Sequence, residues 1–212
     1  MDTLKALSEN LRRGDGLKVK ELTQAALREG ISAQTIIDKG LFAGMAEVGR
    51  LFKEEEIYVP EVLMAAKAMQ AGVDVLEPLL ASAGNKPMGK IILGTVKGDV
   101  HNLGRNLVGI MLKGIGFKVI DLGENVSPEK FVDAAISEKA QLIGMSALLT
   151  TTMPYMKATI EALQKAGLKG KVKTMIGGAC VTQRYADEIG ADAYGENAGV
   201  AVDKANKLLG LK

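Results

Sequence analysis

One cysteine, one histidine and no tryptophan occur in the 212 residues, and aromatic side chains make up only 4% of the chain. A single thiol, Cys180, excludes an internal disulfide and suits a reducing compartment, so a cytoplasmic protein is expected. The N-terminal Met1-Asp2-Thr3-Leu4-Lys5 lacks the apolar core of a secretory signal. No segment approaches the roughly 18 consecutive apolar residues of a membrane span, so no membrane association is expected. An excess of one charge is also missing: 27 basic against 25 acidic residues leave a net charge of +2. No basic block is available for nucleic acid or acidic lipid, and few aromatics are available to stack on bases. The expected partners are therefore small molecules and proteins.

Hydrophobic residues reach 47%, enough for a sizeable core, and their period changes along the chain. Up to about residue 84 the spacing is helical. Leu4, Leu7 and Leu11 form one stripe, and Val19, Leu22 and Ala26 form a second after the break at Gly14-Asp15-Gly16. Ile37, Leu41, Met45, Val48 and Phe52 form a third; Val62, Ala66, Met69, Val73, Leu76 and Leu80 form a fourth, with Pro60 placed to start its helix. Four amphipathic helices must bury their stripes on one another, which predicts an antiparallel four-helix bundle over 1–84. Asn85 to Gly89 reads as a linker. Over 90–212, strand-like runs begin near Lys90, Phe117, Gln141, Val172 and Ala191 and alternate with helices beginning near Leu103, Ser127, Met153, Thr182 and Asn197. This alternation predicts an α/β unit, a flavodoxin-like (Rossmann-type) five-stranded parallel sheet of order 2-1-3-4-5. That order brings the loops after the first and third strands together.

The loop after the first strand is Gly98-Asp99-Val100-His101-Asn102-Leu103-Gly104, and it carries the only histidine. Asp99, two positions away, can accept a proton from one ring nitrogen and leave the other as a fixed basic ligand. Read alone, such a histidine is more often a turn residue satisfied by the backbone, and Asp99 can equally be a cap for the following helix.

Asp-x-His-x-x-Gly resembles the first part of the cobalamin-binding signature of corrinoid proteins. The Ser-x-Leu element follows as Ser146-Ala147-Leu148 and the glycine pair as Gly177-Gly178, with 41 residues between Gly104 and Ser146 and 28 between Leu148 and Gly177. These are the family's intervals. The resemblance extends into the N-terminal half, to the corrinoid methyl-carrier proteins of methyltransferase systems, whose cobalamin-binding part is similar to that of methionine synthase.

That resemblance implies a cofactor, cobalamin or a related corrinoid in its methylcobalamin form, with His101 as the axial cobalt ligand in place of the cofactor's own base. It implies a proton relay of Asp99, His101 and Thr152, the last standing where related methionine synthases carry serine. Gly98, Val100, Asn102, Gly104, Ser146, Leu148, Thr150, Gly177, Gly178 and Ala198 fall at positions that touch the cofactor or line the slot for its nucleotide tail. Phe52 and Val59 match residues that cover the upper corrin face, although as residues they are equally core of the third and fourth helices. The implied function is a carrier that is not catalytic alone, catalysis belonging to its partners: a substrate-specific methyltransferase, an acceptor methyltransferase using tetrahydrofolate or a thiol coenzyme, and a reductive activase.

Two other classes compete. A cobalamin-binding sensor or regulatory module would need an output domain, for which bundle and sheet leave no room. A nucleotide-binding or response-regulator-like module would need a phosphate loop, and no Gly-x-Gly-x-x-Gly or Gly-Lys-Ser/Thr pattern follows the first strand.

Overall fold

The computed structural model describes residues 2–82 and 87–211, apart from the side chains of Glu77 and of Leu80 to Ser82. The chain divides into two compact units, one of helices ending at Pro87 and one built on a sheet from Met88. Asn85 and Lys86 of the expected linker lie outside the described residues.

The helical unit contains α1 (Thr3–Arg12), α2 (Gly16–Arg28), α3 (Ala33–Ile36), a π-helical turn (Ile37–Phe42), α4 (Ala43–Lys53) and α5 (Val59–Ser82). Side-chain caps mark the starts: Asp2 accepts from the Leu4 N–H at 3.1 Å, Asp15 from Lys18 at 3.0 Å and Ser32 from Thr35 at 3.1 Å. The first three stripes bury Leu7, Leu11, Val19, Ala26, Ile37, Leu41, Met45 and Val48. The third helix is continuous through the π turn, so it counts as one bundle member in three segments. In α5 the buried row differs from the expected one: Val62, Met69 and Leu76 are buried, but Ala65 and Ala68 join them while Ala66 and Val73 are half-buried. Small residues explain the shift. A Cβ on Gly72 would lie 3.1 Å from Val19 Cγ1, so α2 approaches α5 along its alanine and glycine positions.

The sheet unit runs β1 (Lys90–Thr95), α6 (Leu103–Gly114), β2 (Lys118–Asp121), α7 (Pro128–Glu138), β3 (Leu142–Ser146), α8 (Pro154–Lys165), β4 (Lys173–Gly177), α9 (Gln183–Ile189), β5 (Ala193–Gly195) and α10 (Ala198–Leu208). All five strands are parallel, in the order β2-β1-β3-β4-β5. The predicted order is the observed one. Ser127, Thr182 and Asn197 cap α7, α9 and α10. Ile92, Val96, Ile143, Met145 and Ile176 pack with Phe131, Met156, Ile160 and Ile189 from α7, α8 and α9 into one buried cluster. Successive strand residues alternate between faces, so Thr95, Ser146 and Gly177 point the other way. These three are register partners across β1, β3 and β4, and Gly195 of β5 completes the row. The row lies at the carboxyl ends of the strands, beside the β1 switch point where open α/β sheets take their ligands.

Candidate functional site

Asp99 is the centre of the site. Its side chain is fully buried, while that of His101 is 47% exposed. One carboxylate oxygen, Oδ1, accepts from the His101 backbone N–H at 3.1 Å and pairs with His101 Nδ1 at 2.7 Å. The other, Oδ2, accepts from the Leu148 N–H at 2.8 Å, the Leu149 N–H at 3.3 Å and the Thr152 hydroxyl at 2.8 Å. The Thr152 proton is also within reach of Leu149 O, at 2.8 Å. None of these partners belongs to the first turn of α6, so Asp99 does not cap that helix. Burial pushes the carboxyl's pKa up, but donors from Leu148, His101 and Thr152 outweigh it and hold the group well below the usual carboxylate range.

The sign of the pH effect follows. A carboxyl whose pKa is depressed by folding stabilises the fold above its unfolded value of about 3.9, and that stability is lost as pH falls below it. Asp99→Asn is expected to flatten the fall in apo-protein stability between about pH 4 and pH 2, as read by urea unfolding at each pH. An equally steep fall in the variant would remove Asp99 from the acid response.

With Nδ1 donating to Asp99, the lone pair lies on Nε2, which has no hydrogen-bond partner among the described residues. Around it Val100, Leu103, Leu148 and Leu149 are exposed although large and apolar. Gly98 adopts φ +80, a left-handed turn residue, and its N–H donates to Asn125 Oδ1 at 2.8 Å. Asn125, itself left-handed at φ 52, returns its backbone N–H to Asp99 O at 3.0 Å. Asn102 spends its amide on Glu124.

The structure thus ties Gly98, Asp99, His101, Leu148 and Thr152 into one network. Ser146 joins it through Thr95 Oγ1, 3.0 Å away. Gly177 and Gly178 adjoin it: the Ala147 N–H donates to Gly177 O at 3.2 Å. A Cβ on Gly177 would sit 2.8 Å from Gly195 O, so strand packing by itself forbids a side chain there. At Gly104 a Cβ would meet nothing within 4 Å. Val100 and Thr150 are exposed, and Ala198 is buried at the start of α10. Phe52 and Val59 are half-buried in the helical unit, near the end of α4 and at the start of α5. Cys180 is half-buried, with Sγ 3.6 Å from Ala147 O.

Sequence reasoning missed Thr95, Arg105 and Asn125. Arg105 is 7% exposed. Its Nη1 donates to Thr95 Oγ1 at 2.9 Å and to Gly123 O at 2.6 Å, and Nη2 to Asn106 Oδ1 at 3.0 Å. Nε lies 3.1 Å from Asp121 Oδ1, an ion pair whose angle falls short of a hydrogen bond. One signal was available: Arg105 shares a stripe with Gly109 and Leu112, and a charge on an apolar stripe asks for a buried partner.

Two family descriptions, each of a B12 binding domain, match the chain, one over residues 89–203 and the other over residues 3–77. A corrinoid protein of Desulfitobacterium hafniense is 43% identical over 99% of both chains. Dimethylamine corrinoid protein 1 of Methanosarcina acetivorans is 52% identical over 82% of both. Among solved structures, the methanol:cobalamin methyltransferase complex of Methanosarcina barkeri contains a chain that superposes with a TM-score of 0.89 at 31% identity, covering 99% of this chain and 80% of that one.

The residues present fit such a cofactor. A corrinoid brings its own ring of nitrogen donors, so one exposed imidazole nitrogen suffices, and the described residues hold no group of three or more His, Cys, Asp or Glu that would cage a metal. The exposed apolar residues around His101 suit a macrocycle's edge, and the open space at Gly104 leaves room for a tail. The chain belongs to the B12-binding corrinoid proteins of methyltransferase systems, and cobalamin or a related corrinoid is its cofactor.

Proposed function

We propose that this chain is a cytoplasmic methyl carrier that shuttles a methyl group between a substrate-specific methyltransferase and a second, acceptor methyltransferase, with a reductive activase restoring it after oxidation. The observation that carries the reading is the buried Asp99 carboxylate paired to an exposed imidazole whose Nε2 is free. The corrinoid, when bound, supplies a cobalt able to take up and give up a methyl group. His101 Nε2 would hold it from below. Asp99 would keep the imidazole in the Nδ1–H tautomer and raise its basicity. When the ligand is released, the proton it gains would be shared among His101, Asp99 Oδ2 and the Thr152 hydroxyl.

Gly98, Val100, Asn102, Leu148, Thr150 and Ala198 would border the cofactor, while Gly104, Ser146, Gly177 and Gly178 would leave space for its tail. To Phe52 and Val59 we assign shielding of the upper face, a role supported by the match of the helical unit to a B12 binding domain. The domain division at 85–89 would separate that cover from the binding unit.

Methylamines and methanol are the donors named for similar proteins, and they define the test. The reduced, hydroxocobalamin-loaded protein is mixed with each purified methyltransferase and its donor labelled in the methyl group, then passed through gel filtration. Label that co-elutes with the protein for one donor, and leaves it on adding an acceptor enzyme, is the expected result. Tight cofactor binding with no label from any donor would favour the sensor reading.

A further inference from the structure

We propose that Arg105 and Thr95 are positioning residues for the His101 ligand, acting on its carbonyl as Asp99 acts on its ring and N–H. The inference rests on the reading of His101 as the cofactor's lower ligand.

The argument is a proton count. Thr95 Oγ1 has three neighbours: Arg105 Nη1 at 2.9 Å, the His101 carbonyl oxygen at 2.8 Å and Ser146 Oγ at 3.0 Å. A guanidinium has donors only, so Arg105 takes a lone pair of the hydroxyl. A backbone carbonyl only accepts, so the single Thr95 proton goes to His101 O. The third contact must then run from the Ser146 hydroxyl into Thr95. Each member has one assignment available, and the Thr95 proton is aimed at the residue that carries the ligand.

Arg105 makes that orientation permanent. A buried guanidinium is costly unless its donors are matched, and a core position in α6 did not require one. Besides Asn106 of its own helix, its partners are the end of β1, through Thr95, and the end of β2, through Asp121 and Gly123. The carbonyl of Gly123 also accepts the Thr95 N–H at 2.9 Å, so Arg105 and the Thr95 main chain grip the same oxygen. The His101 loop is consequently anchored at two independent points. Asp99 holds Nδ1 and the His101 N–H, and the Arg105–Thr95 pair holds the His101 carbonyl, shortly before α6. With only the first anchor, the imidazole would keep its tautomer but the carbonyl side of His101 would be unheld, and the direction of Nε2 would be less closely fixed.

The experiment compares Thr95→Val, Thr95→Ser, Arg105→Met and Arg105→Lys with the wild-type chain and with His101→Ala. In the apo proteins, amide hydrogen exchange over residues 100–103 is expected to quicken about tenfold in Thr95→Val and Arg105→Met, with Thr95→Ser close to wild type. After loading with hydroxocobalamin, the same two variants should show a smaller histidine-ligated fraction by visible absorption and roughly tenfold weaker binding. Folding is checked by circular dichroism. Should Val or Met at these positions fail to fold, Arg105→Lys, which keeps the charge but loses the fork, gives the same readings at smaller amplitude. Wild-type exchange and wild-type spectra in folded variants would overturn the proposal. If His101→Ala leaves the wild-type spectrum unchanged, the ligand reading has failed instead, and unaltered exchange in the Thr95 and Arg105 variants would still reject the anchoring.

Discussion

His101→Ala is expected to leave the fold intact and to change the colour of the loaded protein. The side chain is half in solvent and, among the described residues, its ring is paired with Asp99 alone, so the core loses nothing on truncation. Asp99 keeps the Leu148, Leu149 and Thr152 donors and remains ionised at neutral pH. What disappears is the nitrogen proposed to ligate the cobalt. Binding through the macrocycle and tail should persist with an affinity lower by about 10- to 100-fold. The absorption spectrum after hydroxocobalamin titration should be that of a water-ligated or base-off corrinoid. A wild-type spectrum would mean that another group ligates from below, and the assignment of His101 would have to be abandoned.

The second large effect is on stability. Gly178 has φ +125, a region closed to residues with a side chain, and a Cβ there would overlap the Ala147 carbonyl oxygen. That oxygen belongs to backbone fixed between β3 and the Leu148 amide, and it cannot step aside without breaking the Asp99 network. Gly178→Ala should therefore destabilise the apo protein by about 4 kcal/mol, lowering its thermal midpoint by roughly 10 °C. Gly104→Ala is the counterpart. It meets nothing, sits in a helix where alanine is preferred by about 0.5–1 kcal/mol, and should leave apo stability unchanged or slightly raised while weakening cofactor uptake. Calorimetry of both apo proteins, followed by corrinoid titration, separates the two roles. A midpoint for Gly178→Ala within about 2 °C of wild type would refute the steric account.

The parallel sheet and its strand order were legible because strand-type runs alternate with capped helices, and Ser127, Thr182 and Asn197 announce three of those helices outright. His101 and Asp99 were legible because their separation is local. The buried row of α5 was not, since which residues of a 24-residue helix face inward depends on how closely Gly72 lets α2 approach. The roles of Thr95 and Arg105 were hidden for a related reason. Their partners, Gly123, Asp121 and Ser146, lie 18, 16 and 51 residues away in sequence and become neighbours only when β1 is placed between β2 and β3. The glycine pair shows the opposite difficulty: the motif was visible, but its first member is already accounted for by the crowding of β4 against β5.

The five donors around Asp99 all come from the chain itself. Under the proposed ligation by His101, a direction fixed by hydrogen bonds within the chain would leave little loop entropy to lose on capture. Uptake kinetics would then be governed by encounter and base displacement rather than by folding of the receiving loop.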